Sequence, residues 1–180
     1  AMFMRPVFEG ARARAQRVVY GEGEDERVLR AVQVVIDERL ARPILIGRPA
    51  VIAARIARAG LRFRPGVDVE VVDPESDARY RDYWNDYQRL MGRHGVTPDM
   101  AKALLRRSTT TIGAMMVRRG DADAMLCGLV GRFDVHLGHV RDVIGLKPGA
   151  TTLATLNALM LPQHTIFVTD TFVNEEPTAE

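Results

Sequence analysis

The chain has 180 residues, 47% of them apolar and 27% charged, with a net charge of +2; this is enough for one sizeable globular core or two small ones. No run approaches the ~18 consecutive apolar residues of a membrane-spanning helix, and the polar start around Arg5, Glu9, Arg12 and Arg14 argues against a secretory leader. A single cysteine, Cys127, excludes an internal disulfide framework and fits a reducing, cytoplasmic setting. Ala1 before Met2 reads as a residue left by cloning. Lysine occurs only at Lys102 and Lys147, and the many arginines alternate with carboxylates, so no nucleic-acid-binding stripe stands out.

In chain order, Arg17–Tyr20 is a β-prone run closed by Gly21. Apolar residues at 28, 29, 32, 35, 36 and 40 give a helix over Glu24–Ala41, with Glu22, Glu24 and Asp25 at its start, where the helix dipole favours negative charge. Pro43–Ile46 is a buried strand closed by Gly47, Pro49 opens a helix to Ala59 that Gly60 stops, and Val69–Val72 is a third strand. Strand, helix, strand, helix, strand with short apolar strands predicts a parallel sheet covered on both faces, with right-handed crossovers.

The middle is helical: Asp77–Arg93, then a helix begun by Thr97-Pro98 and running through Arg107, continuing after a kink from Ser108 to Arg119 and broken by Gly120. Ala124–Cys127 is a strand, Gly128–Gly131 a tight loop, Phe133–Ile144 a helix and Lys147-Pro148-Gly149 a turn. Ala150–Leu161 fits either helix or strand, and Thr165–Val168 is a strongly apolar strand ending at Asp170. Pro177-Thr-Ala-Glu180 reads as the opening of a further helix, which makes the chain look cut short.

Three segments are candidates for chemistry. Gly21-Glu-Gly-Glu-Asp-Glu-Arg27 lies between a strand and a helix, but a dinucleotide fingerprint needs glycine where Glu26 stands, and carboxylates at a helix start repel a pyrophosphate. It reads as a capped helix start or as an acidic loop contacting amine or hydroxyl groups of a ligand. The segment from Cys127 to Arg141 runs from a strand through glycines into a helix. Gly128 and Gly131 let a ligand approach the backbone, free N–H groups favour an anion, and Arg132, His136 and Arg141 supply polar partners. A close-packed strand–helix turn is the other reading of the same residues. His136 and His139 with Asp134 would need a further ligand to hold a metal, and none is evident. Asp170 and Asn174 follow a strand, where ligands gather in open α/β sheets, although both are also ordinary turn formers. If that strand belongs to the parallel sheet, they should face the same edge as Gly128 and Arg132. No nucleophile–base pair is legible, Cys127 reads as a small buried apolar group, and no catalytic residue or metal centre is expected.

Taken together, these segments resemble a known family. Met4-Arg-Pro-Val-Phe8, Val19–Arg30, Ala41–Gly47, Arg79-Tyr-Arg-Asp-Tyr-Trp84, Met116–Gly131, His139–Gly145 and Asp170–Thr178 are similar, in order, to the phosphate acetyltransferase-like region of large bacterial malic enzymes. The resemblance implies a three-layer α/β/α fold with a mostly parallel sheet, akin to isocitrate dehydrogenase, with a first lobe over residues 1–145 and the beginning of a second over 146–180. In such proteins an N-terminal malic enzyme part binds NADP and Mg or Mn and decarboxylates malate oxidatively to pyruvate, so no cofactor is expected in this part of the protein. The resemblance further implies a homo-oligomer in which this region is regulatory and acetyl-CoA is the effector, held by Gly128, Gly131, Arg132, His136, Arg141, Asp170 and Asn174. Active phosphotransacetylases carry a serine-rich stretch where this chain has Gly131-Arg-Phe-Asp134, and an arginine where it has Gly138; their Ser-Arg and Asp catalytic group corresponds to sequence beyond Glu180. Acyl transfer by this chain alone is therefore not expected.

Overall fold

A computed structural model describes residues 4–171, 173 and 174. The chain opens with a helix, α1 (Met4–Ala13), and continues as β1 (Gln16–Tyr20), α2 (Glu26–Asp37), β2 (Ala41–Ile46), α3 (Pro49–Arg58) and β3 (Glu70–Val72). Three helices follow, α4 (Tyr80–Met91), α5 (Pro98–Arg107) and α6 (Thr109–Arg119), then β4 (Ala124–Leu126) and α7 (Phe133–Val143), and finally β5 (Leu156–Met160) and β6 (Thr165–Thr169). Two compact units result, Ala1–Ile144 and Gly145–Glu180.

The first unit is built on a parallel sheet in the order β3-β2-β1-β4. Its strands alternate their side chains between two cores, as a period of two requires. Val19, Ile44, Ile46 and Val72 pack with Tyr83 and Tyr87 of α4, Leu105 of α5 and Met115 and Met116 of α6. On the opposite face, Tyr20, Leu45 and Val69 pack with Leu29 and Val32 of α2 and Ile52 and Ile56 of α3. The expected parallel α/β layering is therefore present, with both faces of the sheet covered.

Local rules explain where elements stop. Thr97 accepts a hydrogen bond from Met100 N and starts α5 with Pro98 behind it. Ser108 ends α5 in an extended conformation (φ −110°, ψ 95°) and caps α6 by accepting from Thr111 N, so the expected kinked continuation is two separate helices sharing one cap residue. Gly120, at φ 78°, ends α6. Helix α2 is shorter than its apolar periodicity suggests because Arg39 turns into the left-handed region (φ 55°) and breaks it. Helix α1 is an element the sequence reading did not assign, although Met4, Val7, Phe8 and Ala11 stand at helical spacing; none of its residues is buried.

In the second unit the ambiguous segment resolves as strand β5, which pairs antiparallel with β6 in a two-stranded ribbon separate from the parallel sheet. The condition for placing Asp170 and Asn174 at the parallel sheet's edge, that β6 join that sheet, is thus corrected. The expected helix at Pro177–Glu180 lies outside the described residues.

Candidate functional site

The strand order creates the site. The chain winds outward from β1 through β2 to β3, returns through α4, α5 and α6, and adds β4 on the other side of β1. Gly21 N donates to Leu126 O at 2.9 Å where the two strands end together. A switch point of this kind opens a crevice beyond the carboxyl ends of the strands. A cleft of about 480 Å³ lies there, lined by the Gly21–Asp25 turn, Gly47 and Arg48 after β2, Asp73–Glu75 after β3, and Arg55, Arg106, Thr109 and Val130.

The acidic turn after β1 is spent on holding the scaffold. Asp25 caps α2, accepting from Arg27 N at 2.8 Å, and pairs with the Arg27 guanidinium at 2.9 Å. Glu24 accepts from the N–H of Arg48, the residue that opens α3, at 2.9 Å, and from its Nε at 2.8 Å, while Arg55 donates to the Glu24 carbonyl. These arginines hold both carboxyls well below the usual range, each at about 2. Glu22 reaches across the switch point, and its Oε1 accepts from Gly128 N at 2.8 Å and Leu129 N at 3.1 Å. Of the two readings of this turn, the capped helix start is what its contacts support. A pyrophosphate would meet an N-terminus of α2 already capped by Asp25, so a dinucleotide does not fit here.

The turn after β4 is held differently. Gly128 and Gly131 adopt φ of +99° and +106°, which only glycine takes without strain. A Cβ on Gly131 would stand 3.0 Å from His136 Nε2. His136 Nε2 lies 2.8 Å from Val130 O, which can only accept, so this nitrogen carries the proton and Nδ1 takes the Thr110 hydroxyl at 2.7 Å. Thr110 is almost fully buried at the start of α6. Cys127 is half-buried; burial, then the neighbouring Glu22, push its thiol pKa up, away from nucleophile duty. Burial likewise lowers the pKa of His139. Among the described residues no three His, Cys, Asp or Glu side chains gather as a metal site.

Gly128, Gly131, Arg132 and His136 thus share one turn. Arg132 lies at the start of α7 with its side chain 80% exposed and bound to Asp134 at 2.6 Å. Arg141 is nine residues further on, which on an α-helix is roughly half a turn round and about 13 Å along the axis, so α7 itself separates the two arginines. In the second unit, Asn174 Nδ2 donates to both carboxylate oxygens of Asp170, at 2.8 and 2.9 Å, and to Leu153 O at 2.9 Å. These contacts close a turn around Asp170, whose φ of 56° an aspartate tolerates. The residues that sequence reasoning missed are Arg106, Thr109 and Thr110. Arg106 enters the cleft from the end of α5 with Nε donating to Tyr80 OH at 3.2 Å, and among the described residues it has no carboxylate partner. The polar run Ser108-Thr-Thr-Thr111 was the available signal.

No helix among the described residues is long and apolar enough to cross a membrane. The fold matches the EutD phosphotransacetylase from Staphylococcus aureus with a TM-score of 0.78 at 19% identity, over 91% of this chain and 49% of that one. An NAD-dependent malic enzyme of Rhizobium meliloti is 51% identical over 98% of this chain and 23% of its own length. The NADP-dependent malic enzyme of Escherichia coli is 49% identical over 99% of this chain and 24% of its own length. The chain therefore spans about a quarter of the malic enzymes it matches, in their C-terminal, phosphate acetyltransferase-like region. The switch-point cleft, the phosphotransacetylase fold and a phosphate acetyl/butaryl transferase family model that matches residues 2–180 agree, and the chain belongs to that family.

Proposed function

We propose that this chain is the regulatory, acetyl-CoA-sensing region of a malic enzyme and transfers no acyl group itself. The observation that carries this reading is the switch-point cleft with Arg106 projecting into it. A guanidinium without a carboxylate partner, beside Thr109 at the start of α6, is suited to the phosphates of a CoA ester. The glycine turn at Gly128, Gly131, Arg132 and His136 would flank the ligand, with Arg141 as a further candidate contact. Against catalysis stands Gly138, where acting phosphotransacetylases are expected to carry an arginine; the space around its Cβ position is open. NADP, Mg or Mn and the oxidation of malate to pyruvate would belong to the preceding malic enzyme part. An NAD-dependent relative at 51% and an NADP-dependent one at 49% match this region, so its sequence gives no basis for choosing a nicotinamide preference. A homo-oligomer is part of the same proposal. It is supported by the apolar ribbon of β5 and β6, where Leu156, Leu159, Met160 and Phe167 are all exposed.

Titrating the full-length enzyme with acetyl-CoA while following malate oxidation tests the reading. Arg106→Ala and Arg132→Ala should each weaken inhibition by roughly ten- to a hundredfold, the value of one charge-assisted contact of about 1.5–3 kcal/mol. Thermal melting serves as the fold control. An inhibition curve unmoved by both substitutions removes the cleft from effector binding. Acetyl phosphate formation on the order of 1 s⁻¹ would make the region an acyltransferase instead.

A further inference from the structure

The N-terminal helix is the least explained part of the first unit. Met4, Val7, Phe8 and Ala11 stand at i, i+3, i+4 and i+7, the spacing of a single apolar stripe. Yet no residue of α1 is buried, and Val7 and Phe8 are 52% and 38% exposed. The helix is fastened at its end, where Arg12 donates to the carbonyl of Glu38 at 2.9 Å and pairs with the Glu38 carboxylate. A ten-residue helix is marginal in water by itself, so its stripe needs a cover.

Beside that end lie Arg14, Arg39 and Arg42, all exposed and none in an ion pair among the described residues. Arg42 Nε donates to Ala15 O at 3.2 Å, which places it at the foot of α1. The surface is thus an apolar stripe with a cationic rim. The partner it fits is apolar with an acidic edge.

We infer that α1 is the docking element for the polypeptide that precedes this region in the same chain, and that the stripe Met4, Val7, Phe8 and Ala11 is covered by it. This rests on reading the chain as part of a malic enzyme, and is independent of acetyl-CoA binding. Two observations select the occupant. The matched relatives are about four times longer and the match lies in their C-terminal region, so in such a polypeptide a preceding part joins at α1. The stripe is also small. Four side chains on a ten-residue helix fall far short of the ~800 Å² per partner that a free-standing complex needs, whereas a tethered neighbour at millimolar effective concentration needs much less.

The test places the photo-crosslinker benzoylphenylalanine at position 8 of the full-length protein and irradiates a mixture of unlabelled and ¹⁵N-labelled enzyme. The expected product is a crosslink within one polypeptide, to a residue preceding this region. Amides of α1 should also exchange about a hundredfold more slowly than unprotected ones, with Val7→Asp removing most of that protection. A crosslink between differently labelled copies would assign the stripe to self-association. A crosslink within this region, no crosslink, or unprotected α1 amides would also overturn the inference. Loss of acetyl-CoA inhibition in the separate titration would leave these outcomes unchanged, so the two readings fail independently.

Discussion

Two turns at the carboxyl edge of one sheet look alike in the sequence and behave differently in the fold. Gly21–Asp25 and Cys127–Arg132 each follow a parallel strand, each carry two glycines, and each lead into a helix. In the first, every carboxylate is committed: Asp25 to α2, Glu24 to the start of α3, and Glu22 to the second turn. In the second, the glycines hold left-handed conformations facing open space or a histidine, and the arginine lies outside on the surface. Glycine after a strand therefore marks two distinct needs. One is room for another strand's backbone, the other is freedom of φ.

The largest expected effect separates those needs. A Cβ on Gly23 would stand 2.6 Å from Ile46 O and 2.8 Å from Ile46 N, backbone atoms of the buried strand β2 that have nowhere to go. Gly23→Ala should cost about 3 kcal/mol, the upper end of overpacking. Gly128→Ala meets nothing within 4 Å but must hold φ +99°, and should cost only about 1–2 kcal/mol. Urea denaturation of both variants measures the difference, and equal losses would break the distinction.

Charge gives a second, smaller contrast. The folded pKa values of Glu24 and Asp25 are depressed to about 2, chiefly by hydrogen bonds from Arg48 and Arg27 respectively. A depressed carboxyl stabilises the fold fully above its unfolded pKa of about 4, and that stability is lost as pH falls through the folded value. The chain should therefore lose stability between about pH 5 and pH 2. Glu24→Gln should flatten that limb and cost about 1.5 kcal/mol at pH 7, as one charge-assisted bond is lost. Arg132→Ala, which breaks only an exposed pair, should leave stability almost unchanged. Unfolding midpoints measured against pH decide this, and an acid limb unchanged by Glu24→Gln would show that the carboxylate does not hold α3.

The same contrast explains what the sequence revealed. The parallel sheet was legible because Pro43–Ile46 is short and continuously apolar and Val69–Val72 is apolar apart from Glu70, while the segments between them repeat at helical spacing. A capped helix start was legible at this turn because capping is local, although the helix was expected from Glu24 and the fold makes Asp25 its cap. The Glu22 contact was not, since Gly128 is 106 positions away and only the return crossover brings β4 beside β1. Arg106 was hidden for the same reason, being one more arginine at a helix end until the fold set it at the cleft. Helix α1 escaped notice although its stripe stands at helical spacing, because a ten-residue helix with no buried residue draws little support from packing.

A last effect concerns the link between the turns. Glu22 Oε1 accepts two backbone N–H bonds from the second turn, so Gly128 and Leu129 owe their position to a residue of the first. Glu22→Ala should free both exposed donors to solvent and cost about 1 kcal/mol, the net value of a hydrogen bond that water partly replaces. Glu22→Gln should cost less, because the carboxamide oxygen can still accept. The local reading is more telling than the global one. In Glu22→Ala the amides of Gly128 and Leu129 should exchange about fivefold faster, the factor that 1 kcal/mol represents. The histidine clamp should be left intact, because His136 is anchored by Thr110 and Val130 and not by Glu22. If those two amides keep their protection while global stability falls, Glu22 supports the sheet edge alone and the two turns are not coupled. If His136 is released as well, the turns form one unit and the division between them disappears.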